Sequence, residues 1–271
     1  MAGSREYDVE GIVIRHAVVG ERDRIVTLFT ATEGKLALIA RGALRPGSTL
    51  GPRVDMLSHS RFHCVRRRSL DLISEAATLN SFAGLKSDLR RMSFALYLAE
   101  LTDVSTAEGS PNATLFDLLL SSMQRIETGE CDDRLLRVFE LQLLDCLGFC
   151  PSLRRCVNCG KELRPVENGL SAALGGAVCP ECASCSPDVS SLSVDALKVM
   201  RFWLSHPLDA SCRVRIGDEL AGELEGHTFS FCRHILQGEL KSKEWLLRLR
   251  SEASLTSPSG ASTIARRVES G

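Results

Sequence analysis

Residues 7–42 read YDVEGIVIRHAVVGERDRIVTLFTATEGKLALIARG, a series of short apolar runs separated by turn-forming segments. GERDR at 20–24 and ATEG at 31–34 are typical of hairpin connections, and Gly34 supplies the positive φ that such a turn often needs. Two further strand-like runs follow at 54–67 and 69–79. Five short strands favour a small barrel of the OB type over a sandwich, which needs more strands.

Beyond Asn80 the apolar residues recur at three- and four-residue steps, which is typical of amphipathic helices. The segments with this spacing are 83–101, 110–129, 132–149, 193–206 and 226–250. Candidate N-caps are Ser110, Asn112 or Asp132, and Gly129 and Gly148 are candidate ends. The sequence therefore predicts an α+β protein. We expect an OB-fold nucleic-acid-binding domain over 1–80, a mainly helical domain over 81–250 and a flexible, serine-rich tail over 251–271.

Two CxxC pairs interrupt the helical domain within a cysteine-rich module at about 150–187. The thiols of Cys156, Cys159, Cys179 and Cys182 have the spacing of one closed, structural zinc site. Cys185 is a possible substitute for Cys182, and its position faintly resembles an iron–sulfur run. Such a run requires a fourth cysteine near position 189, which is Val189. Zinc is therefore favoured over an iron–sulfur cluster and over four free thiols.

Basic residues are concentrated in the N-terminal third of the chain. Residues 1–91 hold 15 of the 33 Lys and Arg but only 10 of the 34 Asp and Glu, a balance of +5 that the remaining residues offset with −6. We predict that they form a DNA-binding face, with Phe29, Phe62 and His63 as the nearest groups for base stacking. Solvated strand edges are the alternative reading. The predicted DNA-binding residues are Arg15, Arg22, Arg24, Lys35, Arg41, Arg45, Arg66, Arg67 and Arg68.

Composition and motifs argue against several classes of protein. With 44% hydrophobic and 25% charged residues the chain is of ordinary globular composition, and its odd number of cysteines, 11, argues against a secreted disulfide scaffold. The sequence has no apolar run long enough for a membrane span and no N-terminal signal pattern, so we expect a cytoplasmic location. It contains no Walker A, GxGxxG, GxSxG or HExxH motif, and we expect no enzymatic activity.

Several segments, in order, closely resemble the bacterial RecO family of recombination mediators. They include EGIVIRHAVVGERDRIVTLFTATEGKLALIARGALRP at 10–46, AGLKSDLRRMSFALYLAEL at 83–101 and FELQLLDCLGFCPSLRRCVNCG at 139–160. The resemblance spans about residues 7–250. It implies an OB fold, an embedded four-cysteine zinc module, and binding to single- and double-stranded DNA with annealing of complementary strands in the nucleoid. It also implies partnership with RecR and with the C-terminal tail of single-strand-binding protein, to help load RecA.

The tail of single-strand-binding protein is acidic and apolar, so its site requires a basic rim around an apolar cleft. Arg134, Arg137, Arg154 and Arg155 of the helical domain are candidates for that rim, although ordinary solvated helix faces explain them as well. Two other classes of function remain open from the residues alone. One is a zinc-dependent nuclease, for which no open metal position or carboxylate cluster is found. The other is a structural adaptor that does not bind DNA.

Overall fold

The computed structural model describes residues 5–130, 132–186, 188–236, 240, 242 and 246, so the predicted tail at 251–271 lies outside the described residues. The first five strands form a closed barrel in the order β1-β2-β3-β5-β4, which confirms the predicted OB-type architecture. They are β1 (Glu6–Val19), β2 (Asp23–Thr30), β3 (Gly34–Ala40), β4 (His59–Val65) and β5 (Asp71–Asn80). A short 3-10 helix, Gly51–Val54, lies between β3 and β4.

Strand β1 closes the barrel because its two halves pair with different strands. Its first half pairs with β4 and its second half with β2, and a bulge between Val13 and Arg15 bends it between the two. Gly11 pairs with both neighbours at this crossing, where a Cβ would lie only 3.0 Å from Thr30 Cγ2. The interior is filled by aliphatic and small side chains together with Phe62.

Gly34 connects the β2–β3 hairpin to the rest of the molecule. Its φ of +68°, expected from the ATEG segment, lies in the left-handed region that favours glycine. A Cβ on Gly34 would also lie 2.3 Å from the carbonyl oxygen of Ser110. This position therefore requires glycine both for the turn and for its packing against the segment before the third helix.

The remainder of the chain is mainly helical, as predicted. Its helices are α1 (Ala83–Lys86), α2 (Leu89–Ser105), α3 (Ala113–Thr128), α4 (Asp133–Cys146), α5 (Pro180–Ala183), α6 (Val194–Ser205), α7 (Leu208–Cys212) and α8 (Asp218–Leu236). The Asn112 side chain caps α3 by accepting from Leu115 N at 3.0 Å, and Gly129 ends that helix with a φ of +82°. Asp132 caps α4 in the same manner. Within the described residues, no helix is long and apolar enough to cross a bilayer.

The cysteine-rich module contains a small antiparallel sheet that the sequence pattern did not reveal. Its strands, β6 (Asn168–Ser171), β7 (Gly176–Val178) and β8 (Ser190–Leu192), are arranged in the order β7-β6-β8. Strands of three or four residues are too short to produce a readable alternation. The sheet contributes Leu170, Ala177, Val178 and Leu192 to the same hydrophobic core as the helices.

The barrel is fixed to the helices by both apolar and charged contacts. Ile12, Ile14 and Phe29 on the barrel belong to the helical core, and the Phe29 and Phe116 rings lie 6.3 Å apart. Beside them, Lys35 Nζ lies 3.1 Å from Asp103 Oδ1 on α2.

A buried polar cluster joins α2, α4 and α8 inside the helical core. The fully buried Glu140 carboxylate accepts hydrogen bonds from Tyr97 and Thr228 and lies 2.7 Å from Arg137 Nη2. Arg137 Nη1 is also 3.1 Å from Glu225 Oε1. These contacts fix the register of three helices, since each buried charge needs its partners.

Candidate nucleic-acid interface and metal centre

The four predicted ligand cysteines lie together at one edge of the small sheet. Their Sγ atoms are all within 4.8 Å of one another, and Cys159 Sγ lies 3.8 Å from Cys179 Sγ. Four thiolates bound tetrahedrally at about 2.3 Å from a zinc ion stand roughly 3.8 Å apart. The cluster can therefore hold one metal ion with little rearrangement.

Tight turns present each pair of thiols on one side. In the first turn, Cys159 N donates to Cys156 Sγ at 3.5 Å, and Gly160 has the positive φ, +73°, that lets the chain reverse. In the second, Cys179 directly follows β7 and precedes the short α5, which carries Cys182. The backbone bond from Val157 N to Ala177 O, 3.0 Å, holds the two turns together.

The environment of the cluster lowers the pKa of one thiol, that of Cys156, and so favours the thiolate form that binds metal. Burial acts to raise the pKa of Cys156, but backbone N–H groups that include that of Cys159 lower it to about 6. The backbone N–H of Cys182 acts to lower the pKa of Cys179, but burial and hydrogen bonding to neighbouring side chains raise it to about 12. A metal ion must therefore displace protons from the cluster when it binds.

Cys185 lies outside the four-thiol cluster. Its exposed Sγ is 3.6 Å from the carbonyl oxygen of Glu181 and 3.8 Å from the Ser184 hydroxyl. The four-thiol group that could hold a metal ion in the described residues is therefore Cys156, Cys159, Cys179 and Cys182, without Cys185. Four protein ligands leave a tetrahedral metal no open position, so such a site stabilises structure.

Three arginine-bearing segments meet at one end of the barrel. The register places Arg24, at the start of β2, opposite Ala40, at the end of β3, and Leu38 beside Asp71, at the start of β5. The β1–β2 turn, the loop after β3 and the β4–β5 loop therefore leave the barrel at the same end. The bond from Leu44 N to Arg22 O, 3.0 Å, joins the first two of them. The exposed arginines they carry are Arg22, Arg41, Arg45, Arg66, Arg67 and Arg68.

The β4–β5 loop is anchored by Asp71. The Tyr7 hydroxyl donates to Asp71 Oδ2 at 2.8 Å, and Arg67 N donates to Asp71 Oδ1 at 2.8 Å. The Arg66 guanidinium lies over the Tyr7 ring, 4.7 Å from its centroid. Burial and the Asp71 carboxylate raise the pKa of Tyr7, so its hydroxyl remains a donor. The loop thus presents its arginines from a fixed backbone.

Three of the predicted DNA-binding residues are in ion pairs within the protein. Lys35 is largely buried and donates to both the carbonyl and the carboxylate of Asp103. Arg15 Nε lies 3.0 Å from Asp103 Oδ2, although 59% of its side chain remains exposed. The Arg24 side chain is only 15% exposed, with Nη1 3.8 Å from Asp55. The structure thus gives Lys35 a docking role and leaves Arg24 little surface for a ligand.

The groups suggested for base stacking are not available. Phe29 and Phe62 are fully buried, Phe29 in the helical core and Phe62 in the barrel core. His63 lies between Asp8, at 2.8 Å, and Glu6, at 3.5 Å, and hydrogen bonding to Asp8 raises its pKa. Alternation along a strand predicts which side chains share a face. It does not predict whether that face is solvent-exposed or covered by the barrel interior or by helices.

The four arginines suggested as a rim on the helical domain do not form one site. Arg137 is buried against Glu140 and Glu225, so it is not an exposed rim residue. Arg134 is paired with Asp132 and donates to Val214 O at 2.7 Å. Their cleft, about 650 Å³, is also lined by four carboxylates, those of Asp132, Asp133, Asp218 and Glu225, and is poorly suited to an acidic ligand.

Arg154 lines a different cleft together with Arg201, which the sequence reading missed. This cleft, of about 360 Å³, is bordered by Pro151, Leu153 and Leu204, and no carboxylate is among its lining residues in the described part of the chain. Burial and the neighbouring Arg154 charge lower the pKa of Arg201. No sequence signal pairs Arg201, on α6, with a loop nearly fifty residues earlier, although Arg201 Nε donates to Leu153 O at 2.8 Å. Arg155 is exposed but does not line the cleft.

Comparison with known proteins finds two family models that together cover most of the chain. The model described as "Recombination protein O N terminal" matches residues 1–82, and that described as "Recombination protein O C terminal" matches residues 86–244. A relative named DNA repair protein RecO from Roseiflexus sp. (strain RS-1) is 34% identical over 97% of this chain and 93% of its own length. A relative of the same name from Symbiobacterium thermophilum is 38% identical over 90% of this chain and 98% of its own length.

Proposed function

Since the chain belongs to the RecO family of DNA repair proteins, we propose that it is a recombination mediator that binds single- and double-stranded DNA and anneals complementary strands. The observation that carries this proposal is the meeting of three arginine-bearing segments at one end of the barrel. Arginine suits phosphate because its planar guanidinium donates bidentately and stays charged. The proposed place of action is the cytoplasm, at the nucleoid.

The proposed mechanism is electrostatic. Two complementary strands repel each other through their phosphates, and a basic surface that neutralises both lowers this barrier while it releases counterions. Base pairing then supplies the remaining driving force. No covalent bond is made or broken in this step, so the proposed activity is not enzymatic.

Replacing Arg22, Arg41 and Arg45 together by alanine tests the DNA interface. All three are exposed, so we expect a folded protein whose binding to single strands and duplexes weakens with little regard to sequence. The slope of log affinity against log salt concentration should fall by about 0.7 per lost contact on a single strand, or about 2 in total. Annealing of labelled complementary strands should slow in parallel.

The matched control replaces the exposed Arg213, Arg215 and Arg233 of the helical domain by alanine, an equal change in net charge. It should leave the salt slope unchanged. If the variant lacking Arg22, Arg41 and Arg45 keeps the original affinity and salt slope, these arginines are not the DNA site. The adaptor function would then be favoured. Cleavage products formed in the presence of a divalent metal would favour the nuclease function instead.

We propose that the cleft beside Arg154 and Arg201 binds the acidic, apolar C-terminal tail of single-strand-binding protein. Its two arginines and its apolar border match such a peptide in charge and polarity, and the exposed Phe149 directly precedes the lining residue Cys150. Arg154→Glu should weaken binding of a synthetic tail peptide roughly fivefold or more, because an ion pair at an exposed site is worth up to about 1 kcal/mol and reversal adds repulsion. Arg213→Glu is the control. Equal binding by both variants and the parent would place the tail elsewhere.

Two further elements of the proposal rest on family membership and ligand chemistry. Partnership with RecR and assistance in loading RecA are proposed from the family alone. The resident metal of the four-thiol cluster is proposed to be a single structural zinc ion, because four soft thiolates at tetrahedral spacing suit zinc.

A further inference from the structure

A row of aliphatic side chains crosses the outer wall of the barrel. Ile25 on β2 is paired with Ile39 on β3, and Ile39 is paired with Leu72 on β5. Cross-strand partners point to the same side of a sheet, so these three side chains, here called the aliphatic row, form one continuous strip. Ala17 and Val65 extend it at its two ends.

The aliphatic row does not pack against either hydrophobic core of the described residues. Leu38, Val26 and Ile73, which precede or follow row residues along the strands, point inward and are buried in the barrel. The row residues are only partly buried and belong neither to that core nor to the helical core. A continuous apolar strip on an outer sheet face that joins neither core is a candidate contact surface.

Charges around the row favour a polyanion. Exposed arginines flank it along the chain: Arg15 lies two residues before Ala17, Arg41 two residues after Ile39 and Arg66 directly after Val65. Arg15 also contacts Asp103, and Arg66 also contacts Tyr7. Two carboxylates adjoin the row along the chain, and both accept backbone hydrogen bonds at 2.8 Å, Asp23 from Gly42 N and Asp71 from Arg67 N.

We infer that the aliphatic row contacts the bases of single-stranded DNA while the flanking arginines hold its phosphates, an inference that rests on the proposed DNA-binding function. The strands β2 and β3, the loop between β1 and β2 and the loop between β4 and β5 form the face with which OB folds bind oligonucleotides. On many single-strand binders aromatic rings occupy such a face. Here the two phenylalanines of the strands are buried, and aliphatic groups take that place.

This arrangement separates two kinds of DNA contact. The arginines meet phosphates, which both single strands and duplexes expose. The aliphatic row contacts the faces of the bases, which are stacked on one another inside a duplex and are therefore inaccessible there. The row therefore adds affinity for single strands only, without sequence preference, since every base offers an apolar face.

The test is a thermodynamic cycle between the aliphatic row and the bases. Ile25→Thr with Ile39→Thr keeps β-branched side chains while removing apolar contact area. We expect its dissociation constant for a single-stranded oligonucleotide to rise roughly threefold to tenfold. Binding to an abasic strand of equal length and to a duplex should not change, and neither should the salt slope.

Leu79→Thr is the matched control, since Leu79 is 47% exposed on the same barrel but seven residues beyond Leu72 along β5. It should leave all three affinities unchanged. Equal weakening of normal and abasic strands by the row variant, or no weakening of either, overturns the inference. The inference is also overturned if the row variant no longer binds a partner protein while its DNA binding is unchanged.

Unmodified protein provides a second measurement that does not depend on how the variant folds. It should bind the abasic strand several-fold more weakly than the normal strand, and equal affinities overturn the inference. If the unmodified protein binds neither strand nor duplex, the proposed DNA-binding function itself fails. That outcome differs from equal binding of normal and abasic strands, which would show contact with phosphates but not with bases.

Discussion

At the scale of single residues, the cysteines divide by environment rather than by spacing alone. Cys156 and Cys179 are buried within the four-thiol cluster, whereas Cys185 is exposed and only three residues beyond Cys182. Its sulfur faces a backbone carbonyl, so the chain direction after α5 turns it away from the cluster. Neighbouring cysteines in the same module therefore lie in different environments.

Replacing Cys156 by serine should release the metal, whereas Cys185→Ser should retain about one zinc per chain. Loss of a direct ligand should cost more than the roughly 10- to 100-fold in affinity that loss of a supporting contact costs. Metal analysis of protein purified without chelator checks both variants. Retention of zinc by Cys156→Ser, or its loss from Cys185→Ser, would contradict the assigned ligand set. An iron–sulfur absorption spectrum would contradict the zinc assignment.

At the scale of elements, α8 packs a histidine into the interface with the small sheet. His227 is buried, its Nδ1 lies 3.4 Å from the Ser190 hydroxyl, and its Nε2 lies 3.5 Å from Glu223. Burial lowers the pKa of His227 below 6.5, and this outweighs the opposing effect of Glu223. The imidazole is therefore neutral in the folded protein at neutral pH.

This burial predicts that α8 packing weakens in acid. Below the unfolded pKa of 6.5 the unfolded chain binds a proton that the folded chain resists, so stability falls as pH drops below about 6.5. His227→Gln should reduce that slope. Denaturant unfolding of both proteins at pH 7.5 and 5.5 measures it, with the exposed His234→Gln as control. Identical pH dependence in the parent and in His227→Gln would contradict the prediction.

At the scale of the whole molecule, the basic residues of the barrel serve two purposes. Lys35 and Arg15 converge on Asp103 and fix the barrel to α2, next to the contact between Phe29 and Phe116. Arg41 is exposed at the end of the barrel where the loops meet. A count of positive charges does not separate these roles, whereas burial and ion pairing do.

Lys35→Met and Arg41→Ala should therefore have opposite effects. Lys35→Met leaves Asp103 with a weaker partner in a partly buried place, so we expect a loss of about 1–3 kcal/mol in the free energy of unfolding with the salt slope of DNA binding unchanged. Arg41→Ala should reduce the slope by about 0.7 on a single strand with little effect on stability. Denaturant unfolding and salt-dependent binding measure the two quantities. A reduced salt slope of DNA binding in Lys35→Met would instead show that Lys35 contacts DNA.

The sequence by itself determined the barrel, the helices and the four-cysteine cluster. Each depends on a local pattern: alternation in the strands, three- and four-residue steps in the helices, and two short cysteine spacings. Gly34 was identifiable for the same reason, and so was a cap at Ser110 or Asn112, of which the structure uses Asn112, since a turn and a cap are set by neighbours in the chain. Linked motifs along most of the chain also carried the resemblance to the family.

Only the tertiary structure decided which charged and apolar residues are available to a ligand. Lys35 and Arg137 are typical surface residues in the sequence, yet long-range contacts bury both. The cleft of Arg154 and Arg201 and the aliphatic row of Ile25, Ile39 and Leu72 each join residues far apart in the chain. Exposure depends on what packs against a side chain, and strand pairing and helix packing bring those neighbours from distant segments, so no local pattern contains that information.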